Sequence, residues 1–173
     1  MKKKLLFITL ILILLCPWPV AYAHEHSMAG TQPGGVTVTS AGSADKPTLE
    51  VVGGGIGGLS PGHLFYIDSV DCGADVSAAL HLTNSDELVK YFRYVILKVG
   101  VWKQAADGEW QRARLSSGEV VPDTYLSMQN GMVTYRLPGY ARYRISIDGG
   151  CNYSLGAVAG GSPVSPSFYL GVE

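Results

Sequence analysis

Short β-rich segments separated by turn signals constrain this chain more than any other feature of its sequence. Segments rich in β-branched and aromatic residues follow one another from residue 48 onward, with glycine, proline or aspartate between them. Asp107-Gly108 and Asn130-Gly131 are typical of hairpin turns, because these turns need positive φ. The pattern predicts an all-β fold, with a β-sandwich as its architecture. The predicted strands cover residues 48–52, 64–70, 76–82, 93–102, 109–115, 120–128, 132–137, 141–147, 153–157 and 167–172.

One segment between two predicted strands has a different pattern. Ser85 is suited to cap a helix, and Asp86 and Glu87 would lie in its first turn. Leu88 and Tyr91 then have the spacing of a buried helical face. We expect one short helical turn here.

The first 23 residues have the form of a secretory signal peptide. Met1-Lys2-Lys3-Lys4 is a basic start, the run 5–16 is apolar, and 21–23 has the small-x-small form of a signal-peptidase site. The apolar run is shorter than the ~20 residues that span a bilayer, so we expect no membrane span after signal removal. The protein is predicted to be secreted, and to be extracellular or at the cell surface.

Charge excludes one class of partner. The chain has 13 Lys and Arg against 14 Asp and Glu, a formal net charge of −1. Signal removal would take away Lys2, Lys3 and Lys4 and leave the mature chain more acidic. We therefore expect no nucleic-acid partner, because such binding depends on a basic surface.

Export also bears on the cysteines. Cys16 lies in the predicted signal, which leaves Cys72 and Cys151. In an oxidising compartment two cysteines most simply form one disulfide. Such a bridge would close a loop of roughly 80 residues and be worth about 4 kcal/mol. A reactive thiol or a pair of metal ligands is the alternative.

Residues 24–46 differ in composition from the rest of the mature chain. They are rich in Gly, Ser, Thr and Ala and would bury too little surface to fold alone, so we predict a flexible tail. The tail contains one β-capable piece, Val36-Thr37-Val38-Thr39. Such a piece can fill the sheet edge of a neighbouring copy as a donor strand. The β-sandwich domain is predicted to cover 47–173.

A glycine-rich stretch at 51–64 resembles a dinucleotide-binding fingerprint. Gly53, Gly55 and Gly58 match the G-x-G-x-x-G spacing, which needs a helix after the third glycine. Pro61 and Gly62 fall within the first turns of that helix. The stretch is therefore interpreted as a turn between strands.

Two groups of residues are candidates for metal binding. His24 and His26 would lie at the mature N-terminus, where a free amine, amides and imidazoles can enclose copper. Asp68, Asp71 and Asp75 cluster before a predicted strand and supply oxygens of the kind that calcium takes. A disordered terminus and ordinary turn chemistry are the respective alternatives. Calcium is the candidate cofactor that these residues suggest.

Tyrosines and arginines alternate along several predicted strands, which would put one residue type on each face. The functional interpretation is a face that binds a partner or a glycan, and the alternative is a core edge with cross-strand aromatic pairs. A His-Glu-x-x-His motif is absent, and we predict that the protein is not an enzyme. The alternating residues are Tyr91, Phe92, Arg93, Tyr94, Tyr125, Tyr135, Arg136, Tyr140, Arg142, Tyr143, Arg144 and Tyr153.

Residues 80–102, LHLTNSDELVKYFRYVILKVGVW, resemble a strand-turn-strand piece of cannula-forming proteins, the secreted subunits of extracellular tubes. More loosely, Leu59-Ser60-Pro61-Gly62 followed by a strand and Leu82-Thr83-Asn84 is similar to a pattern of camelysin/TasA-type biofilm fibre proteins. The resemblance implies a jelly-roll-like sandwich that polymerises outside the cell by strand donation, with calcium at its interfaces.

These observations predict a secreted structural protein whose partner is itself, in a homopolymeric filament or surface layer. Two alternatives belong to other classes. One is a secreted copper- or calcium-binding module, and the other is a carbohydrate- or surface-binding module that uses the Tyr/Arg faces.

Overall fold

The computed structural model describes residues 34–49, 54–156 and 164–173, and the backbone of three short strands before them. Residues 1–20, which make up most of the predicted signal peptide, lie outside the described residues. No helix in the described part of the chain is long and apolar enough to cross a membrane.

The described residues are almost entirely β-structure, as the sequence predicts. One short helix, α1 (Ser85–Leu88), lies in the predicted segment, and a 3-10 turn covers Ser43–Asp45. The predicted cap is wrong by one residue, because Asn84 holds the cap position, Ser85 is the first helical residue, and no side chain caps the helix. The strands are β1 (Ala21–Tyr22), β2 (His24–Glu25), β3 (Gly30–Gln32), β4 (Val36–Ser40), β5 (Thr48–Leu49), β6 (Gly55–Ser60), β7 (Gly62–Asp68), β8 (Val76–Leu82), β9 (Phe92–Gln104), β10 (Trp110–Arg112), β11 (Thr124–Ser127), β12 (Met132–Leu137), β13 (Arg142–Ser154) and β14 (Ser167–Val172).

The strands form two sheets, which confirms the predicted all-β sandwich. In the larger sheet the long strand β13 pairs with β9 along one edge, and with β7 and then β6 along the other. Outside these, β4 and β5 pair with β7 and β6, while β10 and β11 pair with β9. The smaller sheet has the order β12-β8-β14-β2.

Alternation along the strands builds the core between the two sheets. In β13, Tyr143, Ile145 and Ile147 are fully buried, whereas Arg142 and Arg144 lie on the opposite face. This confirms that tyrosine and arginine take different faces in this strand. Other fully buried residues of the core are Leu64, Phe65, Ile67, Ala78, Leu80, Phe92, Val95, Leu97, Val99, Val101, Leu126, Leu137 and Phe168.

Of the two hairpin turns predicted at Asp-Gly and Asn-Gly pairs, the structure contains one. Asp107-Gly108 joins β9 to β10 in a hairpin, with Gly108 at φ 89°, as predicted. Gly131 also has a positive φ of 61°, but its turn joins β11 to β12, which lie in different sheets. The hairpin prediction for Asn130-Gly131 is wrong, because a dipeptide that favours a tight turn does not select the partner of the strand that follows.

The glycine-rich stretch is not followed by a helix. Gly55–Ser60 is the strand β6, and β7 begins directly after Pro61. The dinucleotide interpretation therefore has no structural support, since its pyrophosphate site needs a helix N-terminus. The interpretation as a turn between strands is wrong as well, because residues 55–58 of the stretch pair with β13 as part of β6.

The predicted disulfide is not formed, and Cys72 and Cys151 are free thiols. The Cys72 carbonyl accepts a 2.9 Å hydrogen bond from the amide of Tyr140, just before β13 begins, whereas Cys151 lies opposite Gly58 in the far half of β13. Some nine residues of extended strand separate the two positions, or roughly 30 Å. A bridge needs Cα atoms within about 7 Å.

The segment predicted as tail and donor strand is part of the larger sheet. Thr37, Val38 and Thr39 lie opposite Asp68, Ile67 and Tyr66 of β7 in the same chain. The side chains of Val36 and Val38 are buried in the core. The sandwich therefore begins at least eleven residues before the predicted boundary at 47. Exchange of this strand between copies stays a prediction.

Replacing Val38 by alanine tests whether this strand is part of the folded monomer. Val38 is 1 % exposed, so Val38→Ala should lower the free energy of unfolding by about 2 kcal/mol in urea denaturation. Thr39→Ala is the control, because the Thr39 side chain is exposed and should change stability by less than about 0.5 kcal/mol. Equal stability of the two variants would show that the strand is undocked in solution.

Candidate functional site

The side of the larger sheet that faces away from the core, called the outer face here, carries a row of large polar and aromatic side chains. Thr39, Tyr66, Arg144, Trp102 and Arg112 are direct neighbours on five adjacent strands. Each lies one residue away from a core position, so strand alternation turns them all outward. The row crosses the middle of the sheet.

Arginines and tryptophans stack on one another in this row. The guanidinium carbon of Arg144 lies 4.6 Å from the ring centroid of Trp110 and 5.8 Å from that of Trp102. Arg112 lies over Trp102 at 5.1 Å. The Trp110 ring also tilts toward Tyr66, at 6.0 Å between centroids. Cation–π contacts of this kind fix the rings and leave part of their surface facing solvent.

A polar network holds Trp102 in place. Its indole Nε1 donates to the Ser146 hydroxyl at 2.9 Å, and the hydroxyl donates to Asp148. The other carboxylate oxygen of Asp148 lies 3.2 Å from Arg112. Gly100 makes room for this carboxylate, because a Cβ there would lie 2.0 Å from Asp148 Oδ2. The network is therefore both charge-paired and tightly packed.

The network continues to the sheet edge as a chain of charges. Arg112 pairs with Asp123 at 2.9 Å, and Asp123 pairs with Lys98 at 2.9 Å. The hydrogen bond from Lys98 lowers the pKa of the Asp123 carboxyl, and the same bond raises the pKa of Lys98. Both groups face solvent, so the pair contributes little to stability on its own and mainly orients Arg112.

Two buried polar atoms of the outer face have no hydrogen-bond partner among the described residues. They are Nε of Arg144 and Nδ1 of His63, which lies opposite Ser146. Burial, and then the charge of Arg144, lowers the pKa of His63, so the ring is neutral at physiological pH. Buried polar atoms are nearly always paired, so an unpaired one marks a position for water or a ligand.

A groove of about 350 Å³ opens beside this row. Tyr66 and Trp110 form an aromatic wall. Arg142 and Asp68 form a polar side, joined by a 2.9 Å ion pair whose two side chains are about half exposed. Thr37 and Thr39 of β4, with Gln104 of β9, complete the polar lining.

The predicted calcium residues are not brought together. Asp68 pairs with Arg142 and Asp75 pairs with Arg136, each at 2.9 Å, and Asp71 lies in the loop between β7 and β8. No group of three or more His, Cys, Asp or Glu is placed to hold a metal in the part of the chain that the structure describes. Arginines of β12 and β13 thus pair with two of the three carboxylates, and calcium binding here stays a prediction.

The predicted copper site cannot be compared with the structure in the same way. His24 is described only through its backbone, in β2, and His26 lies outside the described residues. Copper binding at the N-terminus therefore stays a prediction.

Only part of this site is predictable from the sequence. The alternation of tyrosine and arginine predicts Arg142 and Arg144 on a binding face, but it does not predict Trp102, Trp110 or Asp148. A usable signal was present, because the Asp107-Gly108 hairpin puts both tryptophans on the face of β9 and β10 opposite the core. The position of Asp148 over Gly100 had no such local signal, since it depends on a β-bulge between Ile147 and Gly149.

Comparison with known proteins finds a weak structural similarity and no matching family. No family model matches the chain, and no curated protein matches it. Among solved structures, the chain is similar in outline to the CBM22-1 xylan-binding domain from Paenibacillus barcinonensis Xyn10C, with 16 % identity and a TM-score of 0.23. The similarity covers 81 % of this chain and 95 % of that domain. A similarity this weak says nothing about the ligand of this chain.

Replacing Gly100 by alanine tests the packing of the network. The new Cβ would displace the Asp148 carboxylate, so Gly100→Ala should lower the free energy of unfolding by about 1–3 kcal/mol and shift the tryptophan fluorescence. In an Asp148→Ala background the same change should cost less than about 0.5 kcal/mol. Equal costs in the two backgrounds would contradict the contact.

Proposed function

We propose that the protein is a secreted binding module whose outer-face groove takes a carbohydrate. The observation that carries the proposal is the placement of Tyr66 and Trp110 beside the exposed Arg142–Asp68 pair in one groove. Sugar rings combine apolar C–H faces with hydroxyls at their rims. A groove that binds them needs aromatic surface and polar groups side by side.

The aromatic wall suits the faces of a sugar ring. Trp110 is held by Arg144 from one side and lies next to Tyr66, so its ring needs little further ordering when a ligand arrives. Large rigid side chains supply contact area at low entropic cost.

The polar side suits sugar hydroxyls. A hydroxyl both donates and accepts, and a paired carboxylate and guanidinium offer an acceptor and donors close together. Asp68 and Arg142 are in this arrangement. The volume of about 350 Å³ lies in the range of small-molecule sites, which run from about 300 to 1,000 Å³.

Replacing Trp110 by alanine tests the proposal. A glycan array first identifies oligosaccharides that the wild type binds, and isothermal titration calorimetry then gives their affinities. Trp110→Ala should weaken binding by roughly 30-fold, the effect of about 2 kcal/mol for a central contact residue. Tyr125→Ala is the control, because Tyr125 is exposed but does not line the groove. An array without ligands, or equal affinities for the two variants, would contradict the proposal.

A filament subunit is the second candidate function. It is favoured by the place of β4 in the sheet, since its buried valines make contacts with β7 that a neighbouring copy could make in the same register. We expect fibres in negative-stain electron microscopy of the purified full-length protein with calcium. A full-length protein that stays monomeric in all conditions would exclude this function.

A further inference from the structure

A second cleft continues from the groove around the end of the larger sheet. This end cleft has a volume of about 720 Å³ and lies where β9, β10 and the turn before β13 meet. It shares Gln104, Arg142 and Tyr143 with the groove, so the two cavities adjoin at these residues. A ligand longer than one sugar ring would extend from the groove into the end cleft.

The end cleft differs from the groove in charge. Lys103, Arg112, Arg114 and Arg142 line it, and none of the other described lining residues is acidic. Arg112 and Arg142 are already paired with aspartates. Lys103 and Arg114 have no ion pair within the described ranges. A chain with a formal net charge of −1 thus concentrates unpaired positive charge in one cleft.

The position of Arg114 is fixed by the backbone. Its Nη1 donates to the carbonyl of Gly118 at 2.9 Å, and its strand position forms a bridge with Val120. One guanidinium nitrogen is therefore occupied, and the others are free to meet an anion. The paired N–H donors of a planar guanidinium match the geometry of carboxylate and sulfate oxygens.

A strained residue lines the end cleft. Tyr140 has a φ of 54°, in the left-handed region, and is 73 % exposed. Its amide donates to the Cys72 carbonyl, and its ring lies on Gly73, where a Cβ would meet the tyrosine hydroxyl at 2.6 Å. Backbone strain in an exposed aromatic residue is typical of binding sites, because the surrounding structure must hold it.

The floor that the two cavities share stays neutral and rigid. Tyr143 is fully buried, and its hydroxyl donates to the Pro138 carbonyl at 2.6 Å. Burial raises the pKa of Tyr143 to about 12, so this hydrogen bond persists across the physiological range. The unpaired positive charge that lines the end cleft is that of Lys103 and Arg114, because Arg112 and Arg142 are paired with aspartates.

We infer that the ligand is an acidic glycan, whose sugar rings lie against Trp110 and Tyr66 while its carboxylate or sulfate groups contact Lys103 and Arg114. The inference rests on the proposed carbohydrate-binding function and adds the class of sugar. A neutral oligosaccharide would leave the two cations of the end cleft unpaired. An acidic one neutralises them where few acidic side chains compete.

The test compares an acidic oligosaccharide with its neutral form. The probes are a galacturonate hexasaccharide and the same hexasaccharide with every carboxylate methyl-esterified, and a heparin-derived hexasaccharide represents sulfate. Isothermal titration calorimetry is run at 50 and 300 mM salt on the full chain. The wild type should bind an acidic probe at least tenfold more tightly than the ester, and raising the salt should weaken this binding.

Two double variants separate specific contacts from net charge. Lys103→Gln with Arg114→Gln should weaken binding of the acidic probe at least tenfold and leave the ester within twofold. Lys90→Gln with Arg93→Gln is the matched control, since it removes the same charge from exposed positions outside both cavities. Trp110→Ala should weaken both probes. Circular dichroism and urea unfolding check that each variant is folded.

The outcomes separate this inference from the function on which it rests. If the wild type binds the ester as tightly as the acid, or the Lys103/Arg114 variant behaves like the control, the acidic specificity is wrong and carbohydrate binding stands. If no glycan binds, both are wrong. If poly-glutamate displaces the acidic probe and Trp110→Ala has no effect, the cleft binds negative charge alone and the acidic-glycan assignment is overturned.

Discussion

The pairing of β13 with β9 is the interaction on which the rest of the structure depends. It runs along nearly the full length of both strands, and one register sets the core and the outer face together. Ile145 opposite Val101 fills the core, and Arg144 opposite Trp102 forms the centre of the outer face. A slip by one residue would bury the arginine and expose the isoleucine, so the apolar core fixes the register and thereby builds the candidate site.

Irregularities in this pairing give the outer face its chemistry. The register shift after Ile147 brings the Asp148 carboxylate over Gly100, where it reaches Ser146 and Arg112. Bulges commonly re-aim side chains in this way near binding sites. The charges around Trp102 are satisfied within the protein, whereas Nε of Arg144 has no partner in the described structure. The outer face thus combines side chains that are held rigidly with a polar atom, Nε of Arg144, that is able to bind a ligand.

The end cleft is positively charged, although the chain as a whole has a formal net charge of −1. A balanced composition argues against a basic nucleic-acid surface, but it says nothing about a cleft that is lined by Lys103 and Arg114 and by no acidic residue among those described. The predicted calcium residues show the converse effect. Asp68 and Asp75 are close in sequence, yet each meets an arginine from a distant strand and is used in an ion pair.

The sequence by itself determined the features that arise within a few residues. Alternation specified most of the strands and their buried faces, and Asp107-Gly108 specified the hairpin that aligns Trp110 and Trp102. Only the tertiary structure decided the partners of β11 and β12, the docking of Val36–Ser40, and the separation of Cys72 from Cys151. Turn chemistry and side-chain period are local properties. The choice of strand partner depends on which distant apolar faces pack together, and that choice also joined the groove and the end cleft.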